Sequence, residues 1–221
     1  MKTKKPTFHV ITLFPELIES YTAHSIMKRG IEKKLFSVKA VNPRDFAQDK
    51  HNKADDRPYG GGPGMVLKAE PILRAVEHAL KKNKQTNKLK TKILILSPRG
   101  KTLTNAYAKN LVTRYSDIVL IAGHYEGIDA RVKKILKAED VSVGPYVLTG
   151  GEMPALMIID AAVRTIPGVL GTHDSLEEKR IASGDVYTRP ETFVWKKKKY
   201  TVPAVLASGN HALIDAWRKK Q

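Results

Sequence analysis

Three groups of residues have types and spacings that could do chemistry. Directly after an apolar run ending at Ala122 stand Gly123, His124, Tyr125, Glu126 and Gly127, with Asp129 close behind. Residues 121–171 hold seven of the 15 glycines, and residues 138–163 contain no Lys or Arg although the chain has 39 of them. A bent, apolar, uncharged segment inside a very basic chain is the pattern of a concave site that holds a small molecule through main-chain groups. Glycine lets backbone approach a ligand closely, and flanking Val, Leu and Ile supply rigid walls. Arg164 is the first cation beyond it. The third group is DDRPYGGGPGM, residues 55–65, whose consecutive glycine amides could form an anion nest or a flexible turn. A Walker loop needs Lys and Ser/Thr after its second glycine, whereas Gly64 precedes Met65 and Val66, so a P-loop is excluded. No strand, G-x-G-x-x-G and helix occur in order, which argues against a nicotinamide cofactor. His124 has no second histidine at helical spacing and reads as a surface or core residue, so no metal ligands are expected. Glu126 and Asp129 could both be helix N-terminal carboxylates, a reading that suits Asp129 better.

The elements that position these residues follow from the apolar pattern. Residues 8–13 alternate as a strand, and a helical pattern opens at Pro15 and runs toward Leu35, with Leu17, Tyr21, Ile26 and Ile31 as expected core contacts. A strand is predicted at 36–41, then a polar loop over 42–65 that is too long to be a mere connection. A helix over 69–82, a lysine-rich solvated loop, a strand at 93–96, the turn SPRG, a helix over 104–114, a strand at 118–122 and a helix over 130–138 continue the alternation. The stretch 121–171 otherwise consists of apolar, β-like runs broken by glycine, proline and a few carboxylates. The fold class expected is α/β, a mostly parallel sheet with helices on both faces, in which residues 123–127 fall at the carboxyl end of a strand, where such sheets bind ligands. After Gly171 the pattern becomes polar and irregular, Lys196–Lys199 is a charged run, and only 210–219 looks helical, with Ala212, Ile214 and Trp217 apolar. The expected organisation is a main domain over 1–171, a linker over 172–186 and a small unit over 187–221.

A formal charge of +17 and a pI near 9.9 in 221 residues are the footprint of a polyanion partner, with nucleic acid ahead of an anionic membrane. No run of about 18 apolar residues occurs, and the apolar run in MKTKKPTFHVITLF is too short for a signal peptide. The expected location is the cytoplasm. The absence of cysteine removes disulfides, thiolate nucleophiles and Cys-ligated metals.

DDRPYGGGPGMV, LSPRG, GHYEGIDARV, VGPYVLTGGE, IPGVLG, YTRP and VPAVLASGNH occur in that order, together with Ile11, Leu13, Phe14 and Pro15 near the start and Trp217 and Arg218 near the end. This set resembles the bacterial tRNA (guanine-37 N1)-methyltransferases, members of the trefoil-knotted (SPOUT) class of S-adenosylmethionine-dependent RNA methyltransferases. The resemblance implies a deep knot in the carboxyl-side part of the sheet domain, an exception to the rule that chains do not thread loops. It implies a methyl-donor pocket made of Pro98 and Gly100, of Gly123, Tyr125 and Glu126, of Val143, Gly144, Pro145, Tyr146, Val147 and Leu148, and of Gly150 and Gly151. It assigns the target base to Arg164 and to the Asp of an Asp-Ser pair, Asp174. Tyr59, Gly60, Gly61 and Gly62 are placed on the substrate side, and Lys197 and Lys198 are expected to meet RNA phosphates. A homodimer with the guanine site between subunits, and a requirement for Mg²⁺, are also implied.

The chain departs from the family pattern at four places. His124 stands where Arg is usual and Pro145 where Asp is usual. The segment between Gly171 and YTRP is shorter, which makes Asp185 a rival to Asp174 as the base. The sequence ends at Gln221, soon after Trp217 and Arg218, so a reduced C-terminal unit is expected. These departures keep two alternatives open: a catalytically inactive RNA-binding relative, and a knotted methyltransferase acting at another RNA position.

Overall fold

Phe8 and Val10 alternate with His9 and Ile11 in strand β1 (Thr7–Ile11), and all four are buried because both faces of the strand are covered. The structure is a computed structural model describing residues 5–81, 90–170 and 185–220. The chain divides into two compact units, 1–170 and 171–221.

Helices α1 (Pro15–Thr22) and α2 (Ser25–Glu32) follow β1. The single helix expected from Pro15 toward Leu35 is thus two, because His24 is extended and Ser25 takes a left-handed φ of 50°. Their buried contacts are Ile18 and Met27, whereas Leu17, Tyr21 and Ile26 are exposed and Ile31 is only partly buried. The expected apolar stripe was therefore one residue out of phase in both helices. β2 (Ser37–Val41) lies at the sheet edge. The long polar loop contains a 3₁₀ turn at Pro43–Phe46 and pairs with itself through β3 (Asp55–Asp56) and β4 (Val66–Leu67). α3 (Ala69–Lys81) buries Ile72, Ala75, Val76 and Ala79 at helical spacing.

β5 (Thr91–Thr102), α4 (Asn105–Arg114), β6 (Asp117–Ile121), α5 (Ala130–Leu136), β7 (Glu139–Ser142) and α6 (Glu152–Val163) complete the first unit. The five long strands pair in parallel in the order β2-β1-β6-β5-β7. One face carries Phe8, Val10, Leu94, Leu96, Ile118 and Leu120 against residues of α1, α2, α4 and α6. The other carries Ile11, Ile95, Val119 and Ile121 against α3 and α5. This is the parallel sheet covered on both sides that the alternation predicts. Residues 152–163 form a helix and not the β-like run expected. α6 buries Pro154, Ala155, Leu156, Ile158, Ile159, Ala162 and Val163, and a helix apolar nearly all round shows no 3.6-residue period. Ser97–Gly100 is not a turn ending a strand. β5 continues to Thr102, and both Leu96 and Lys101 pair with Val141, so residues 97–100 bulge from the ladder.

In the second unit β8 (Thr192–Trp195) and β9 (Lys198–Thr201) form an antiparallel hairpin that the sequence pattern did not reveal. The charged run Lys196–Lys199 is its tip and the start of its return strand. α7 (Ala204–Ala207) and α8 (His211–Arg218) follow. The Asn210 side chain caps α8 by accepting from Leu213 N–H at 3.2 Å, and Ile214 is its buried residue.

Candidate active site

Four segments leave the same end of the parallel sheet. After β1, Thr12 turns the chain, its hydroxyl accepting from Phe14 N–H at 2.9 Å. After β6 come residues 122–129, after β7 residues 143–151, and between them the β5 bulge lies beside Val141. The contacts leave no room for side chains at three glycines. A Cβ on Gly100 would fall 2.4 Å from the backbone N of Val141, and one on Gly150 would fall 2.3 Å from Cε1 of His124. One on Gly151 would fall 2.5 Å from Cα of Ala122. Gly151 N–H donates to the Gly123 carbonyl at 2.9 Å, and His124 and Gly150 form an antiparallel bridge.

Glu152, the first residue of α6, is 4% exposed. One of its oxygens lies 2.7 Å from His124 Nε2, and the other accepts from the Thr12 hydroxyl at 2.5 Å. Glu152 therefore joins the ends of β1 and β6 to the start of α6. A buried carboxylate is tolerated because it is hydrogen-bonded on both sides. The Phe14 ring meets the His124 ring edge-on, with centroids 5.0 Å apart. His124 is thus a structural residue at the pocket lip. Glu152 closes the motif VGPYVLTGGE, in which the sequence pattern assigns it no role. The available signal was that it and Asp160 are the only acids between β7 and Arg164 in a stretch without cations.

Tyr125 has a left-handed φ of 59°. Glu126 N–H donates to the Met65 carbonyl at 3.0 Å, Leu67 N–H to Gly127 O at 3.0 Å, and Asp129 N–H to Leu67 O at 3.0 Å. The DDRPYGGGPGM segment is therefore laced along residues 126–129. Gly64, at φ 81°, approaches the Glu126 side chain so closely that a Cβ would fall 2.6 Å from its carboxyl. Tyr59 projects fully into solvent, and Gly60, Gly61 and Gly62 have positive φ with open space around them. Asp129 caps α5 by accepting from Arg131 N–H at 2.9 Å. The Arg131 guanidinium, bidentate on Asp129, holds that carboxyl below the usual range.

In the β7 loop the Tyr146 ring lies against Gly144, and the Tyr146 hydroxyl donates to the Val143 carbonyl at 3.2 Å. Pro145, Val147 and Leu148 are exposed. Pro98 stands in the bulge beside these loops. Arg164 is half-buried at the opposite end of α6 from Gly151, so the structure brings together the loops expected to form the pocket but not the arginine. Asp174 lies outside the described residues. Asp185, Lys197 and Lys198 are exposed in the second unit, with Lys197 in the hairpin turn at φ 65°. Among the described residues no helix is long and apolar enough to cross a membrane.

A model of the family described as tRNA (Guanine-1)-methyltransferase TrmD matches residues 7–221. The tRNA (guanine-N(1)-)-methyltransferase of Alcanivorax borkumensis is 45% identical, over all of this chain and 83% of its own length. That of Clostridioides difficile is 44% identical over 97% of this chain and 91% of its own length. That of Aliivibrio salmonicida is 46% identical over 96% and 83%. With matches that span both units, the chain belongs to the tRNA (guanine-1)-methyltransferase family.

Proposed function

We propose that this protein transfers a methyl group from S-adenosylmethionine to N1 of guanine-37 of tRNA, with the donor held by the loops after β5, β6 and β7 and the base handled by Arg164 and a carboxylate. The observation that carries the donor site is the meeting of Gly100, Gly150 and Gly151 at one end of the sheet, where a Cβ on Gly100 or Gly151 would collide with main chain and one on Gly150 with the His124 ring. Such a cradle suits a ligand recognised through backbone amides and carbonyls, with Val143, Val147 and Leu148 as apolar walls. The knotted threading goes with this reading and is supported by the tight passages of Gly100 past Val141 and of Gly151 past Ala122.

Bound there, S-adenosylmethionine supplies a methyl group already activated on a sulfonium, so no covalent enzyme intermediate is needed. Guanine N1 carries a proton and becomes nucleophilic when a carboxylate removes it. Asp174 is the proposed base and Asp185 its rival. The Arg164 guanidinium stabilises the negative charge that grows on O6. Gly151 and Arg164 lie at opposite ends of α6, about 20 Å apart at 1.5 Å per residue, so one copy holds its arginine far from its own donor loops. A two-fold homodimer brings the arginine of one copy to the donor loops of the other. The exposed faces of α1 and α6 support this assembly: Leu17, Tyr21, Met153 and Met157 are all exposed, and the Tyr21 hydroxyl donates to Asp160 at 2.7 Å. The lysine-rich second unit is assigned to tRNA phosphates, and the cytoplasm is the compartment this activity implies. Mg²⁺ is the further cofactor that the family resemblance implies for this reaction.

The test is methyl-label transfer to tRNA transcripts carrying guanine, inosine or adenine at position 37, with Asp174→Asn and Asp185→Asn variants beside the wild type. Label on the guanine transcript, lost with adenine, and loss of activity in one aspartate variant are expected. Protein that binds the donor but labels no transcript would refute the reading and favour an inactive RNA-binding relative.

A further inference from the structure

In the β8–β9 hairpin, Phe193 pairs with Tyr200 and Trp195 with Lys198, while Thr192, Val194, Lys199 and Thr201 occupy the opposite face. The first face is thus aromatic with one cation. Its rings are in the open: Phe193 is 53%, Trp195 62% and Tyr200 41% exposed. The Phe193 and Tyr200 rings stack with centroids 5.5 Å apart and 19° between planes, and Lys198 Nζ lies 5.7 Å from the Tyr200 centroid. No acid occurs from Thr192 to Thr201, whereas four lysines do.

The turn is formed by Lys196 and Lys197 at φ 46° and 65°. Two consecutive positive φ angles are those of a two-residue hairpin turn that Asn-Gly would adopt with little strain. Lysine there incurs backbone strain, of the kind that persists where surrounding structure and use require it. The arrangement gives ring faces for stacking, cations within reach of the same ligand, and a uniformly positive rim. A protein interface core would be depleted of lysine. Unpaired RNA needs both parts, because splayed bases stack on aromatic rings while backbone phosphates meet cations.

We propose that the Thr192–Thr201 hairpin is a stacking platform for unpaired nucleotides of the RNA substrate, with Trp195 and Tyr200 receiving bases and Lys196, Lys197 and Lys198 meeting phosphates. This rests on the tRNA reading above and adds to it: the second unit recognises single-stranded character as well as charge.

The experiment measures binding of full-length wild type, Trp195→Ala, Trp195→Phe and Lys197→Ala/Lys198→Ala to a tRNA transcript, a fully paired RNA duplex, a single-stranded RNA oligonucleotide and anionic phosphatidylserine vesicles, over a salt series. Trp195→Ala is expected to weaken binding to tRNA and to the single strand by about 5- to 100-fold, with the salt slope unchanged. Duplex binding and S-adenosylmethionine affinity stay as in wild type, and Trp195→Phe recovers most of the loss. The double lysine variant flattens the salt slope by about 0.7 per lost single-strand contact. Equal loss on duplex and single strand, no loss on either, or a Trp195 effect confined to vesicles would each overturn the platform. If wild type transfers no methyl group to tRNA, the enzymatic reading fails by itself, and the single-strand comparison still decides the platform.

Discussion

Replacing Gly151 by alanine tests whether the donor cradle depends on backbone touching backbone. Gly151 has φ −84° and ψ −4°, a conformation open to any residue, so the substitution adds no dihedral strain and its effect is steric. The new Cβ would lie 2.5 Å from Cα of Ala122 and 2.8 Å from N of Gly123, where ordinary contact begins at 3.4 Å, so the Ala122 backbone must retreat by about 0.9 Å. It cannot do so freely, because Ala122 N–H is held by the Ile11 carbonyl at 2.9 Å and Gly123 O by Gly151 N–H at 2.9 Å. Overpacking of this kind costs about 1–3 kcal/mol. For a chain of this length, about 2 kcal/mol lowers Tm by roughly 4–8 °C. A displacement near 1 Å at the donor loops should lower kcat/KM by about 100-fold. The assays are thermal unfolding, calorimetric titration with S-adenosylmethionine, and methyl transfer. The control is Gly61→Ala, which meets nothing within 4 Å and carries only the strain of φ +78°, about 1–2 kcal/mol, with donor affinity intact. A Gly151→Ala protein that melts and binds the donor as wild type does would refute the steric account of the cradle.

Arg164→Ala should lower methyl transfer by about 100-fold or more while leaving donor affinity unchanged, as expected for a group that acts on transition-state charge. Mixing it with a donor-loop variant such as Gly150→Val and allowing subunits to exchange should restore up to about a quarter of wild-type activity, since a mixed dimer keeps one complete site; no recovery would place Arg164 and the donor loops in the same subunit. Asp117 is buried with a carboxyl oxygen 3.1 Å from His9 Nε2, and Asp117→Ala, which leaves the His9 nitrogen unsatisfied, should destabilise the fold by about 1–3 kcal/mol, read by urea unfolding. Glu139 is hydrogen-bonded by Lys92 and by the Tyr107 hydroxyl, and these, Lys92 foremost, hold its carboxyl below the usual carboxylate value. Its contribution is therefore present above about pH 4.3 and lost as pH falls below that. Because the side chain is 34% exposed, the contribution is at most about 1 kcal/mol, and Glu139→Gln should flatten unfolding free energy against pH in that range.

The sequence alone determined the parallel α/β sheet, the positions of most of its strands, the glycine-rich loops at its carboxyl end and the family. The sheet is carried by short-range signals, alternation from Phe8 and the continuous apolar run Ile118–Ile121, and the family by the ordered motifs from DDRPYGGGPGMV to VPAVLASGNH. It misplaced what depends on which face a segment turns inward. Leu17 and Tyr21 were assigned to the core, but Ile18 occupies it, and the two exposed residues lie on the face proposed for a second subunit. α6 shows no helical period in the sequence because its residues are apolar on nearly every side, the exposed Met153 and Met157 included. Only the tertiary structure revealed that Glu152 ties His124 to Thr12, residues 28 and 140 positions away in the chain, and that α6 separates Arg164 from the donor loops. Pairing across such separations leaves no local trace in sequence, since it is fixed by how strands order in the sheet. The β8–β9 hairpin escaped notice for the converse reason. Its lysine turn lacks the Asn-Gly signature, and the pairing of Phe193 with Tyr200 across that turn is what makes the run a strand pair with an exposed aromatic face.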